Sequence, residues 1–378
     1  MTSKKSPWAL HSPTNERAGT LHMSMPVVLG LATLLVCTGF CPTTPLGSIV
    51  QAADAQLISE VSGERMMNTI EDLQGFGSRA FYLDSSRDVA QYLHDRFTEL
   101  GLEVEYDEFS AGVHEVVNVI ATKTGEAGSE ARLLLGAHYD SENMEAESYE
   151  LGAGLPAPGA DDDASGIAAV LELARVLSDY QTSRTIQFAA FTAEENGYDG
   201  SGGLAGSEHF AFAEKSRGTQ YEASVILDMI GHRGSTENHV AAIVSKEDPP
   251  IVRSIRSGIS KNGINLSFSV VEDEFASYSD QYSFWSAGYP AILLIEADPH
   301  STSYSLSPHY HTANDTIDKL SQEQIAETTK GLLSGILGLL NPREKTDTLL
   351  IVIALSGAII AVSAMSYFYL RSRKVGRT

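Results

Sequence analysis

The chain has 378 residues, 43% of them hydrophobic, with a formal net charge of −23 and a pI near 4.8. So acidic a chain offers no basic face to a polyanion, which excludes nucleic acid as a partner and fits a soluble, self-repelling surface. Both cysteines, Cys37 and Cys41, lie in an apolar N-terminal stretch, so the remainder holds neither a catalytic thiol nor a cysteine-based metal site.

Lys4, Lys5 and Arg17 precede a short apolar run at residues 27–40, and Ala53-Asp54-Ala55 offers an A-x-A cleavage site. Residues 1–55 are therefore expected to be a secretory signal peptide with its leader, the alternative being an uncleaved anchor. Over residues 56–72, Leu57, Ile58, Val61, Met66 and Ile70 recur near a 3.6-residue period, which predicts a helix. A second helix is predicted over 85–100, from a Ser-Ser cap to Gly101. Strands are predicted at 102–109, 116–122 and 133–136. There follow a helix at 166–177, a strand at 185–191, a helix at 201–213, a strand at 223–228 and a helix at 250–261. A strand at 291–295 and an apolar helix at 322–340 close the series. Such alternation predicts one α/β domain over residues 56–340, with a mixed, largely parallel central sheet flanked by helices. Residues 141–158, rich in Glu, Gly and Pro, read as a loop, and 341–348 as a linker.

Residues 349–370 carry no charge; at ~1.5 Å per residue they span about 33 Å, enough to cross a bilayer core. Arg371, Arg373 and Lys374 follow at once. By the positive-inside rule the tail, 371–378, is cytoplasmic and residues 56–340 face outward from a single-pass membrane anchor.

Five segments carry the chemistry: Gly136-Ala137-His138-Tyr139-Asp140, Gly159-Ala160-Asp161-Asp162-Asp163-Ala164-Ser165-Gly166, Ala193-Glu194-Glu195-Asn196-Gly197, Leu227-Asp228-Met229, and His311-Thr312-Ala313-Asn314-Asp315-Thr316. Several follow apolar strand-like runs, where open α/β sheets place their sites. Hard divalent cations and zinc take carboxylates and imidazoles. A two-metal hydrolase needs a bridging carboxylate, terminal ligands on each side and a base beside the shared water. The segments supply this count, with His138, Asp162, Glu195, Asp228 and His311 as ligands and Glu194 left over as base. Two carboxylates directly after a buried-looking strand are costly unless a cation or proton compensates them.

In this order the segments, together with Ser279-Asp280 and Ala287-Gly288-Tyr289-Pro290-Ala291, resemble the M28 zinc metallopeptidases, which include aminopeptidases, glutamate carboxypeptidases and glutaminyl cyclases. The resemblance covers roughly residues 60–340 and implies the zinc exopeptidase fold with two zinc ions. It makes Asp162 the bridging ligand. His138 and Asp228 complete one zinc site, and Glu195 and His311 the other. It makes Glu194 the general base and Asp140 the carboxylate that orients His138. Asp161 and Asp163 are then neighbours that shape the turn. The implied activity is removal of N-terminal residues from peptides. A glutaminyl-peptide cyclotransferase or a carboxypeptidase of the same family is the alternative, and the intact ligands and Glu194 argue against a non-catalytic module. Gln281 stands where many members have histidine, which bears on substrate preference. His209, His232, His300 and His309 fall outside the ligand set. Phe275, Tyr278 and Tyr282 are read as either pocket lining or packing.

Overall fold

The structure, a computed structural model, describes residues 46–126, 131–144, 155–196, 202–234, 237–246, 249–297 and 307–340. Internal contacts divide the chain between Gln51 and Ala52, and the fold and site below belong to the unit that begins at Ala52. The expected signal segment, except for residues 46–55, lies outside the described residues, as do the linker, the apolar segment 349–370 and the basic tail. No helix among the described residues is long and apolar enough to cross a membrane.

The helix expected over 56–72 is two helices, α1 (Leu46–Ser59) and α2 (Gly63–Gly75). The break is local chemistry. Ser62 is extended (φ −117°, ψ 112°), and its side chain accepts the Arg65 N–H as an N-cap. The backbone N–H of Ser62 donates to Glu172 at 2.8 Å, which fixes the bend to the body of the domain. Helix α3 (Asp84–Glu99) follows as predicted, burying Val89, Ala90, Leu93 and Phe97.

The remaining elements are β1 (Glu103–Ala111), β2 (His114–Lys123), β3 (Ala131–His138), α4 (Ala164–Ser178), β4 (Ile186–Phe191), α5 (Ala205–Arg217), β5 (Gln220–Leu227), β6 (His239–Val244), α6 (Pro250–Asn262), β7 (Ser267–Glu272), α7 (Gln281–Ser286), β8 (Ala291–Glu296), a 3-10 turn (Ile317–Lys319) and α8 (Gln322–Leu340). The strands β6 and β7 and the short α7 were not expected. The sheet is eight-stranded, in the order β1-β2-β4-β3-β5-β8-β6-β7. Its centre, β4-β3-β5-β8, is parallel, while β1 pairs antiparallel with β2, β2 with β4, and β6 with β8. The mixed, largely parallel sheet is thus as expected, with antiparallel pairings on either side of its parallel centre and a further parallel pair, β6–β7, at one edge.

Strand residues alternate between two apolar cores. Leu133, Leu135, Ile186, Phe188, Val225 and Leu227 join one cluster with α2, α3, α4, α6 and α8. Leu134, Phe191, Ile226, Leu293 and Ile295 join another with Phe210 of α5 and Phe284 of α7. A period of two that feeds apolar residues to both faces is the mark of a sheet covered on both sides. Strands β4 and β5 lie on opposite sides of β3. The carboxyl ends of these strands therefore open at a switch in winding direction, where α/β sheets bind ligands.

Candidate metal centre

His138 is the last residue of β3, Glu194 and Glu195 follow β4 within four residues, and Asp228 directly follows β5. Asp162 lies in the turn that enters α4, and His311 comes from the loop before the 3-10 turn. All are buried, Asp228 at 6% and His311 at 8% exposure.

The turn that carries Asp162 is fixed from both sides. Asp163 caps α4 by accepting the Gly166 N–H at 2.9 Å. It also accepts the N–H groups of His138 and Met229, each at 3.2 Å, and so joins the ends of β3 and β5. Asp161 accepts from Gly231 at 2.8 Å and from His232 at 3.2 Å. Both neighbours do more than shape a turn. Gly166 is required here: a Cβ would lie 2.4 Å from Asp163 Oδ1 and 2.5 Å from the Leu227 carbonyl.

Three non-glycine residues at the site hold left-handed backbones: Ala193 (φ 54°), Met229 (φ 51°) and His311 (φ 55°). Such conformations cost about 1–3 kcal/mol each and persist only when their surroundings impose them. Each carbonyl is held by a distant N–H: Ala193 by Ala205 at 2.9 Å, Met229 by Glu296 at 2.8 Å and His311 by Met144 at 3.0 Å. The turn after β4 is aimed by Asp140, whose two oxygens accept the N–H groups of Glu194 and Glu195 at 3.3 and 3.2 Å. Asp140 Oδ1 lies 3.6 Å from His138 Nδ1, on the side of the imidazole away from Asp162.

The side chains converge on Asp162. Its Oδ1 is 3.1 Å from His138 Nε2, and its Oδ2 is 3.0 Å from His311 Nε2. Asp228 Oδ1 stands 3.7 Å from His138 Nε2, and Glu195 Oε2 3.1 Å from His311 Nε2. One carboxylate thus faces two histidine–carboxylate groups. The sets His138–Asp162–Asp228 and His138–Glu194–Glu195 each bring one ligand-type atom per residue within 4.8 Å of the others.

The electrostatics match a cation site. Burial holds the Glu194 carboxyl well above its usual range; Glu195, Asp280 and Asp228 add to this, while His138 opposes it. Burial and Asp162 push Glu195 up to about 8. Burial would lower both histidines, but the surrounding carboxylates outweigh it. His138 is raised well above 6.5 and His311 to about 11. Burial would likewise raise Asp162, yet its bonds to the two histidines hold it low. Asp228 Oδ1 and Glu195 Oε1 are buried without hydrogen-bond partners among the described residues. Unsatisfied carboxylate oxygens beside two imidazole Nε2 atoms around a shared carboxylate fit a pair of divalent ions.

Several supporting residues carried no signal of their own. Arg79 is completely buried and donates to the carbonyls of Tyr139, Pro158 and Gly159 at 2.8, 2.5 and 2.8 Å, stapling the loop between the first two motifs. Asp315 lies inside the last motif; it accepts the N–H of Asp161 at 3.0 Å and that of Asp162 at 3.1 Å. Glu142 lies 4.0 Å from His311 Nδ1. Buried Glu296, at the end of β8, accepts from His232 and Ser307 at 2.9 and 2.7 Å. Of the histidines set aside, His209 pairs with Asp107 at 3.3 Å, and neither His232 nor His309 joins a ligand group. His300 lies outside the described residues. Gln281 is buried and donates to the Ala276 carbonyl at 2.8 Å. Phe275 is 80% exposed, and Tyr278 and Tyr282 are at the surface, so none of the three packs in the core.

Comparison with known proteins agrees with this geometry. The model of peptidase family M28 matches residues 118–336, more than half of the chain. Leucine aminopeptidase 1 of Emericella nidulans is 28% identical over 318 residues, covering 77% of this chain and 76% of its own. The solved structure of BSAP, a zinc aminopeptidase from Bacillus subtilis, aligns with a TM-score of 0.63 at 18% identity, covering 75% of this chain and 97% of that one. A glutaminyl cyclase from Fimbriiglobus ruber aligns with a TM-score of 0.60 at 24% identity, covering 73% and 95%. With the family's motifs gathered at one end of the parallel sheet, the chain belongs to peptidase family M28 and is a zinc metallopeptidase of the aminopeptidase-like kind.

Proposed function

We propose that the protein is a two-zinc aminopeptidase that removes N-terminal residues from peptides outside the cell, anchored by its apolar segment 349–370. The observation that carries this reading is Asp162, whose two oxygens each face a different histidine at 3.1 and 3.0 Å. His138, Asp162 and Asp228 would hold one ion; Asp162, Glu195 and His311 would hold the other. Zinc bound there lowers the pKa of a shared water toward about 7 and polarises the scissile carbonyl.

The protein supplies the proton transfers and the positioning. Glu194, left over from the ligand set, takes a proton from the attacking water and passes it to the departing amine. Its side chain is buried within reach of His138 and Glu195. Asp140 holds the Glu194 and Glu195 backbones in register with His138 and so fixes base and ligands together. The extracellular placement rests on the N-terminal and C-terminal apolar segments of the sequence.

The glutaminyl cyclase neighbour makes cyclisation the competing reading, and the paired faces of Asp162 favour the peptidase. The test is hydrolysis of Leu-p-nitroanilide against its N-acetylated form, before and after 1,10-phenanthroline and zinc add-back. Cleavage of the free-amine substrate alone, lost with chelator and restored by zinc, is the expected result. Cleavage of neither, with turnover of a glutaminyl peptide, would move the assignment to cyclase chemistry.

A further inference from the structure

The two histidines of the site are used alike. Each presents Nε2 to Asp162, and each has a carboxylate on its Nδ1 side. A metal-bound imidazole keeps its tautomer and orientation by donating its other N–H, usually to a carboxylate or a carbonyl. Behind His138 that place is held by Asp140, at 3.6 Å. Behind His311 no motif residue holds it. His311 Nδ1, like His138 Nδ1, is buried without a hydrogen-bond partner among the described residues, in a side chain 8% exposed. The carboxylate beside it is Glu142, with Oε2 4.0 Å away and its own side chain 13% exposed.

The backbone strengthens the pairing. Met144 donates its N–H to the His311 carbonyl at 3.0 Å, so the segment carrying Glu142 is fastened to the residue it faces. His311 needs such support, because its left-handed backbone (φ 55°) has no regular element to hold it.

We infer that Glu142 is a positioning residue, whose carboxylate accepts the Nδ1–H of His311 and fixes the imidazole for the ion at the Asp162–Glu195–His311 end. A closure of about 1 Å brings the contact within hydrogen-bond range. The inference rests on the two-zinc reading above.

The test is zinc affinity, measured by competition with a chromophoric chelator on metal-free wild type, Glu142→Gln and Glu142→Ala. It is accompanied by the melting temperature of each metal-free protein. Wild type should bind two zinc ions. Glu142→Ala should weaken one of them by about 10–100-fold and leave the other unchanged. Glu142→Gln, whose amide oxygen still accepts an N–H, should fall between. The cobalt-substituted protein should show an altered d–d absorption from one ion only.

Unchanged affinity for both ions in Glu142→Ala would overturn the inference, and a raised KM with it would make Glu142 a substrate contact instead. Equal weakening of both ions with a lowered melting temperature would also overturn it, as a general loss of structure. If wild type binds a single zinc, the two-zinc reading fails visibly before any variant is made. Glu142 is then judged on whether that single affinity falls.

Discussion

The two ends of the site are held by different means. His138 and Asp228 sit at the ends of adjacent parallel strands, and the pairing of Gly136 with Ile226 sets their separation. Sheet register brings them together, and Asp163 ties the two strand ends. His311 and Asp162 come from loops, and their positions depend on bonds between residues far apart in sequence. Asp315 holds the Asp161 and Asp162 backbone, Met144 holds His311, and Arg79 holds the loop that leads to Gly159. One end inherits its geometry from the fold, and the other is assembled by polar contacts that must all be present.

Asp162 is where the ends meet, so its removal should have the largest effect. Asp162→Ala should lose both zinc ions and all measurable turnover, whereas Asp228→Ala should lose affinity mainly at the His138 end. Metal content by elemental analysis checks this, and retention of one tightly bound zinc in Asp162→Ala would mean the carboxylate does not bridge.

Arg79 tests how far the loop end depends on its staple. Replacing it with Met leaves two buried carbonyls and the half-buried Pro158 carbonyl without their donor, and unsatisfied buried groups cost about 1–3 kcal/mol each, roughly 3–5 kcal/mol together. Denaturant unfolding of the metal-free protein should show a loss of that size. A loss under about 1 kcal/mol would show that the loop holds itself.

The smallest of the three effects is in pH. The metal-free fold raises His311 from 6.5 to about 11 against the opposing effect of burial, because Glu195 and Asp162 favour its charged form. The charged imidazole therefore stabilises the metal-free fold fully below pH 6.5, and this is lost as pH rises toward about 11. Zinc requires the neutral imidazole. Zinc binding at pH 7.5 should thus release protons, and apparent affinity should rise with pH. Calorimetric titration in two buffers of different ionisation enthalpy measures the release; identical heats in both would contradict the shift.

The same division separates what could be read from the sequence from what could not. His138, Glu194, Glu195 and Asp228 follow apolar runs that had to be strands, so their placement followed from the pattern. The structure brings Asp162 and His311 to them, as the family resemblance implied. Arg79 and Glu142 were invisible because an isolated arginine or glutamate in a loop looks like surface until the chain has folded over it. Helix α1–α2 was misread as one element because its apolar period runs through the break, while the Ser62 cap that makes the break is a single side chain. Strand β6 carries a continuous apolar run of five residues, 240–244, which periodicity cannot assign to strand or helix, and α7 is too short to show a period at all.

The central claim is that Glu194 is the base and not a ligand. The most direct measurement is the zinc content and kcat of Glu194→Gln, with Leu-p-nitroanilide as substrate. Two zinc ions should be retained and kcat lowered by about 10²–10⁴-fold. A wild-type kcat, or the loss of a zinc ion along with activity, would contradict it.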